Sequence, residues 1–135
     1  YALTDSPVGL AAWMVEKFRS WSDCDGDVER RFPPDVLLTN VMIYWVTGAI
    51  GSSFWPYYGV RHGSGYPVPE RGRRVEVPTG YAAFPKEIIV PLRPWAERLY
   101  NIARWTVMPA GGHFAALEEP ELLAEDVRAF FRGLR

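Results

Sequence analysis

Leu10, Trp13, Met14, Phe18 and Trp21 recur at spacings of three and four, the period at which side chains share one face of an α-helix. Asp5 or Ser6 can cap that helix, and Pro7 fits its first turn, where an N–H would lack a partner anyway. The pattern predicts one buried, aromatic-rich face, with Glu16, Lys17 and Arg19 on the other side. Residues 22–27 form a polar break containing glycine, and a loop follows through Arg30 and Arg31. Pro33-Pro34-Asp35 then opens a second helix carrying Leu37, Val41, Ile43, Tyr44, Trp45 and Val46. It is apolar on nearly all sides, which predicts burial between other elements. Over 54–69 aromatics mix with glycine and proline, a composition that predicts a structured loop.

Beyond Arg71-Gly72-Arg73-Arg74, simplest as a solvated hinge, the pattern changes period. It predicts a strand at about 74–77, a loop through Phe84-Pro85-Lys86-Glu87, a short helix near 95–100 and a strand near 103–108. A glycine turn, Gly111-Gly112-His113-Phe114, leads to a final helix from Pro120 with Leu123, Val127, Phe130, Phe131 and Leu134 at helical spacing. Strands alternating with helices imply an α/β architecture with a parallel sheet. Two parallel strands make a poor sheet alone, since such sheets need cover on both faces and neighbours on both edges. Those neighbours are expected N-terminal to Tyr1, because the chain opens without a methionine and runs directly into a helix start.

Composition narrows the function classes. At 135 residues and 48% hydrophobic content the chain has material for a core. Fifteen Lys and Arg against 16 Asp and Glu, with no basic stripe, argue against a nucleic-acid partner. Cys24 is the one cysteine and has no His or Cys at ligand spacing, so neither a disulfide nor a metal site is expected, and a reducing compartment is. The longest apolar stretch, 36–50, is interrupted by Thr39, Asn40, Thr47 and Gly48 and falls short of the roughly 20 residues of a membrane span. No signal peptide opens the chain, and cytoplasmic localisation is the default expectation.

The candidate chemistry lies in the second half. His113 sits on a glycine turn beyond the apolar run 105–108, where a base would stand, and Glu87 follows the preceding strand, so imidazole and carboxylate can meet at one sheet edge. Imidazole exchanges protons near neutral pH, and a carboxylate on its other nitrogen sets the tautomer and supports the positive charge. No nucleophile for this pair is evident, and no Gly-x-Ser-x-Gly elbow supplies a serine. Glu118, Glu119 and Glu121 flank Pro120 at a helix start, where negative charge is favoured for structural reasons. Trp13, Tyr44, Trp45 and Trp55 fit either an apolar cavity or a core. Of these, Trp55, beside Tyr58, is assigned to substrate binding.

Several ordered motifs carry a family likeness: Ala2-Leu3-Thr4-Asp5-Ser6-Pro7-Val8-Gly9-Leu10-Ala11-Ala12-Trp13, Leu37-Leu38-Thr39-Asn40-Val41-Met42, Val77-Pro78-Thr79-Gly80, Phe84-Pro85-Lys86-Glu87 and Gly111-Gly112-His113-Phe114-Ala115-Ala116-Leu117-Glu118-Glu119-Pro120. Together they resemble the C-terminal portion of microsomal-type epoxide hydrolases, members of the α/β-hydrolase fold. The resemblance implies that residues 1–70 are the remainder of a helical lid and 71–135 the last parallel strands and helices of the core. It makes His113 the base that activates water, Glu87 its supporting acid, and Tyr57 a proton donor to the epoxide oxygen, with Tyr58 the alternative donor after a one-residue shift. The nucleophilic aspartate, the His-Gly-x-Pro type of loop and a first lid tyrosine are then expected N-terminal to Tyr1. His62-Gly63-Ser64-Gly65 lacks the proline of that loop and reads as ordinary loop.

The function so implied is addition of water to an apolar epoxide to give a vicinal diol, with no metal or organic cofactor. The N-terminal half of the same protein is its expected partner, and a homo-oligomer is compatible with these properties. Two alternatives stand beside it: a non-catalytic fragment or interaction module that needs a partner chain, and a sibling α/β-hydrolase such as an esterase or dehalogenase.

Overall fold

A computed structural model describes residues 1–63 and 73–134. They fall into two compact units, Tyr1–Ser20 with Gly26–Val68, and Trp21–Asp25 with Pro69–Arg135.

In the first unit a single turn, α1 (Ala2–Asp5), precedes α2 (Pro7–Trp21). The cap between them is Ser6, whose Oγ accepts the Gly9 N–H at 3.0 Å. Val28–Arg30 forms one 3₁₀ turn capped by Asp27, and α3 (Pro34–Thr47) follows. Leu10 of α2, Val41 of α3 and Ile50 make the core, with Leu3, Ala11, Met14, Tyr44 and Trp45 packed against it. Phe18 and Phe32 meet edge to face at 5.0 Å beside them.

Two expectations change here. Only Leu37 and Val41 of α3 are buried, whereas Leu38, Met42, Ile43 and Val46 are exposed. The helix contacts this chain on one side, and its all-round hydrophobicity finds no second partner among the described residues. The stretch expected as loop from Phe54 is helical as far as Arg61: α4 (Ile50–Ser53) and α5 (Trp55–Arg61) follow α3. Gly48, at φ 65°, is what stops α3, and Pro56 stands in the first turn of α5, where proline is tolerated. His62 and Gly63 form a turn, and the remainder of that expected loop, with Gly65, Tyr66 and Pro67, lies outside the described residues, as do Arg71 and Gly72 of the expected hinge. No single helix among those described is long and apolar enough to cross a membrane.

In the second unit β1 (Val75–Ala83) pairs in parallel with β2 (Tyr100–Val107), and α6 (Arg93–Leu99) forms the crossover between them. β1 runs past its expected end at about 77, and β2 begins before its expected start near 103. β1 runs through Pro78, which sits at an irregularity of the pairing, where Val75 pairs with Tyr100 and Pro78 with Asn101. The Asn101 side chain donates to the Glu76 carbonyl at 3.0 Å across that step. Tyr81 and Trp105, directly paired, stack at 4.3 Å.

After the short α7 (Ala115–Glu118), the last helix α8 (Pro120–Arg132) lies against the sheet. It comes close enough that a side chain at Gly80 would begin 3.0 Å from the Phe130 ring. Its anchor is polar: buried Asp126 accepts from Arg104 Nε and Nη2, each at 2.7 Å, and from the Thr106 hydroxyl at 2.6 Å. Arg104 and Thr106 are two apart on β2 and so share a face. Asp126→Ala is expected to lower stability by roughly 1–3 kcal/mol through lost charge-assisted hydrogen bonds, read as a shift in urea midpoint, with Thr106→Val costing less.

Candidate active site

The parallel ladder outlasts the strands. From Ala83 paired with Val107 it passes to the Met108 N–H donating to the Ala83 carbonyl at 2.9 Å. Beyond a gap it re-forms as a bridge between Lys86 and Gly112, with the Lys86 N–H donating to the Gly111 carbonyl at 3.0 Å. Next after this bridge in each loop come Glu87 and His113. Their side chains meet, with His113 Nδ1 at 2.7 Å from Glu87 Oε1. An ionised carboxylate can only accept, so Nδ1 carries the proton in this contact and Nε2 offers its lone pair outward. Glu87 Oε1 also accepts the Ile88 N–H at 2.7 Å, which steadies the carboxylate. The imidazole is exposed and the carboxylate partly covered.

The glycines ahead of His113 serve different ends. Gly111 is at φ 100°, in the region L side chains rarely adopt, and a Cβ there would also meet the Phe84 ring at 2.8 Å. At Gly112 the constraint is space, because a Cβ would lie 2.7 Å from the Trp21 carbonyl oxygen. That carbonyl accepts the His113 N–H at 2.9 Å. Trp21 and Phe114 each set a ring edge-to-face with the imidazole at 5.3 Å.

Sequence reasoning missed the rest of the support. Asp23, read as part of a polar break, accepts the Gly111 N–H through Oδ2 at 3.0 Å. Glu118, read as favourable charge at a helix start, ends α7 instead and is buried. Its two oxygens accept the Phe114 N–H at 3.0 Å and the Asp23 N–H at 2.7 Å. The bonds of Asp23 to Gly111 and to Glu118 leave no local signal, since 88 and 95 positions separate the partners, whereas the Phe114–Glu118 bond spans only four. Glu119 and Glu121 do stand at the start of α8, as the N-cap and in the first turn.

Tyr81 lies near the pair on the sheet. Burial first, and the charge of Glu87 second, push its phenol above the ordinary range. An acid raised in the fold is still protonated when the unfolded chain begins to ionise, so this contribution to stability is lost as pH climbs from about 10 toward the folded value. Glu87→Gln should bring the Tyr81 titration part of the way down, checked by ultraviolet absorbance of tyrosinate. A return all the way to the ordinary value would contradict burial as the larger cause.

The other assigned residues belong to the first unit, on α5. Tyr57, Tyr58 and Trp55 are all exposed. Tyr57 packs on Phe54 at 6.1 Å, and Tyr58 stacks on His62 at 3.9 Å. Phe54, Trp55 and Tyr58 line an open cavity of about 510 Å³. Trp13 touches Phe54 and carries Lys17 over its ring, whereas Tyr44 and Trp45 pack on the core. Among the described residues no group of three or more His, Cys, Asp or Glu could hold a metal ion. Cys24 is buried.

A carboxylate after one parallel strand and a histidine after the next is the order in which α/β-hydrolases bring in acid and base. The chain superposes on the juvenile hormone epoxide hydrolase of the silkworm Bombyx mori with a TM-score of 0.84 and 31% identity, over 98% of this chain and 35% of that one. The Aspergillus niger epoxide hydrolase matches with a TM-score of 0.81 and 30% identity, over 98% and 32%. The fold is thus the C-terminal part of an α/β-hydrolase.

No protein-family model matches the chain. Among curated proteins it is 49% identical to epoxide hydrolase 1 of Oryctolagus cuniculus, across 96% of this chain and 30% of that protein. It is 40% identical to a putative epoxide hydrolase of Stigmatella aurantiaca, across 100% and 30%. The chain belongs to the epoxide hydrolases and spans about a third of the length of the relatives it matches.

Gly112→Ala is expected to cost roughly 1–3 kcal/mol, because backbone and not a flexible side chain blocks the new methyl. Gly51→Ala, in a helix with open space around it, should be neutral or stabilising by up to about 1 kcal/mol. Paired denaturation curves check both.

Proposed function

We propose that this chain supplies the water-activating half of an epoxide hydrolase, which converts an apolar epoxide and water to a vicinal diol through an ester on an aspartate. The observation that carries the reading is the 2.7 Å contact of His113 Nδ1 with Glu87 beyond the ends of paired parallel strands. The aspartate belongs to the N-terminal half of the same protein. In that assembly 1–70 act as the remainder of the lid and 71–135 as the end of the core.

In the first step the aspartate oxygen bonds to a ring carbon, the carbon–oxygen bond of the ring breaks, and the ring oxygen takes a proton from the Tyr57 phenol. In the second, His113 Nε2 takes a proton from water, and the hydroxide oxygen bonds to the ester carbonyl carbon. The tetrahedral intermediate expels the diol oxygen, which takes the proton back from His113. The carboxylic acid left behind returns a proton to the tyrosinate. Glu87 holds the Nδ1 proton throughout and supports the imidazolium between the two transfers. Trp55 and Tyr58 present apolar surface to the substrate, and the scheme calls for no metal or organic cofactor.

In the full-length protein that carries this chain, His113→Gln should cut steady-state diol formation by about 10²- to 10⁴-fold while the ester still forms, seen as a mass increment after incubation with styrene oxide. Tyr57→Phe should slow formation of the ester itself. Rapid diol release by His113→Gln would overturn the assignment.

A further inference from the structure

Two carboxylates outside the reacting pair close on the loop that carries His113. Asp23 Oδ2 accepts the N–H of Gly111, and Glu118 Oε1 accepts that of Phe114, both at 3.0 Å. Glu118 Oε2 accepts the N–H of Asp23 at 2.7 Å, which joins the two supports. The hydrogen bonds therefore run from Gly111 through Asp23 and Glu118 to Phe114, spanning the loop from both sides of His113. Within that span the His113 N–H is itself taken by the Trp21 carbonyl.

Neutral acceptors would satisfy these amides. Charged ones bind N–H groups about twice as strongly, and Glu118 is only 7% exposed, so little water competes. Glu87 fixes the far nitrogen of the imidazole, but the ring's position also depends on the backbone it hangs from. A base displaced by about 1 Å can lose on the order of 100-fold in rate.

We infer that Asp23 and Glu118 are positioning residues for the His113 base, setting the loop so that Nε2 reaches the attacking water. Neither touches substrate. The inference rests on the reading of His113 as that base, and it makes ester hydrolysis, not ring opening, the step that depends on the two carboxylates.

The variants differ in a way chemistry dictates. Both Glu118 oxygens accept from backbone N–H groups, and an amide accepts at one end only, so Glu118→Gln sets an NH₂ against a donor. Asp23→Ala removes the acceptor for Gly111, whereas Asp23→Asn keeps one. In the full-length protein, rapid mixing with styrene oxide separates ester formation from ester hydrolysis. Glu118→Gln and Asp23→Ala should slow hydrolysis about 10- to 100-fold with ester formation within about twofold, and Asp23→Asn should restore most of the rate.

Each variant is assayed below its own melting temperature; if Asp23→Ala does not fold, Glu118→Gln with the Asp23→Asn comparison carries the test. Hydrolysis at the wild-type rate, or equal slowing of both steps, overturns the inference. His113→Gln run in parallel separates the two readings. Fast diol release there overturns the base assignment itself, while a stalled ester there beside unimpaired Glu118→Gln and Asp23→Ala overturns the positioning role alone.

Discussion

A loop that turns on two glycines has little of its own to hold it, and every amide it exposes must find an acceptor if the loop is to keep one shape. The Gly111–His113 turn meets that demand at Gly111 with the Asp23 carboxylate and at His113 with the Trp21 carbonyl, and buried Glu118 takes the next amide, that of Phe114. On the side of the preceding strand the turn accepts instead, the Gly111 carbonyl taking the Lys86 N–H in the Lys86–Gly112 bridge. The position of the imidazole, and with it the contact to Glu87, follows from this set of hydrogen bonds.

The same logic explains why Trp21–Asp25 groups with the β/α unit although its flanking residues group with the helices. Gly112 allows the Trp21 carbonyl to approach closer than any side chain would permit, and the Trp21 ring covers one edge of the imidazole. Elsewhere on the sheet the design is ordinary. Asp126 ties α8 to β2 through Arg104 and Thr106, and the missing side chain of Gly80 makes room for Phe130. These contacts fix the sheet on which the loops of Glu87 and His113 stand.

Where local pattern and local structure share a cause, the chain was legible. Proline at helix starts, the spacing of four between Leu10, Met14 and Phe18, and the amphipathic α8 all mark helices that are present. Legibility failed where a local signal was overruled. The first strand reads as ending near 77, yet it continues to Ala83 past an irregularity of pairing at Pro78. Aromatics and proline at 54–58 read as loop, yet a proline in a helix's first turn costs nothing there, and α5 forms. The hydrophobicity of α3 predicted burial on all sides, while Leu38, Met42, Ile43 and Val46 are exposed, because composition does not say which faces of a helix the chain covers.

By itself the sequence determined the residue types and order of the chemistry: a carboxylate at Glu87, an imidazole at His113, and glycines before the histidine that permit a sharp turn. Periodicity and motif spacing suffice for this because each is a property of neighbours along the chain. Only the tertiary structure decided that Oε1 lies 2.7 Å from Nδ1, that the parallel register carries both loops to the same place, and that Asp23 and Glu118 hold the turn. Except for the Phe114–Glu118 bond, four residues long, those are contacts between residues far apart in sequence. Their partners come together only when the strands have paired and the loops have closed, so no stretch of sequence read locally contains them.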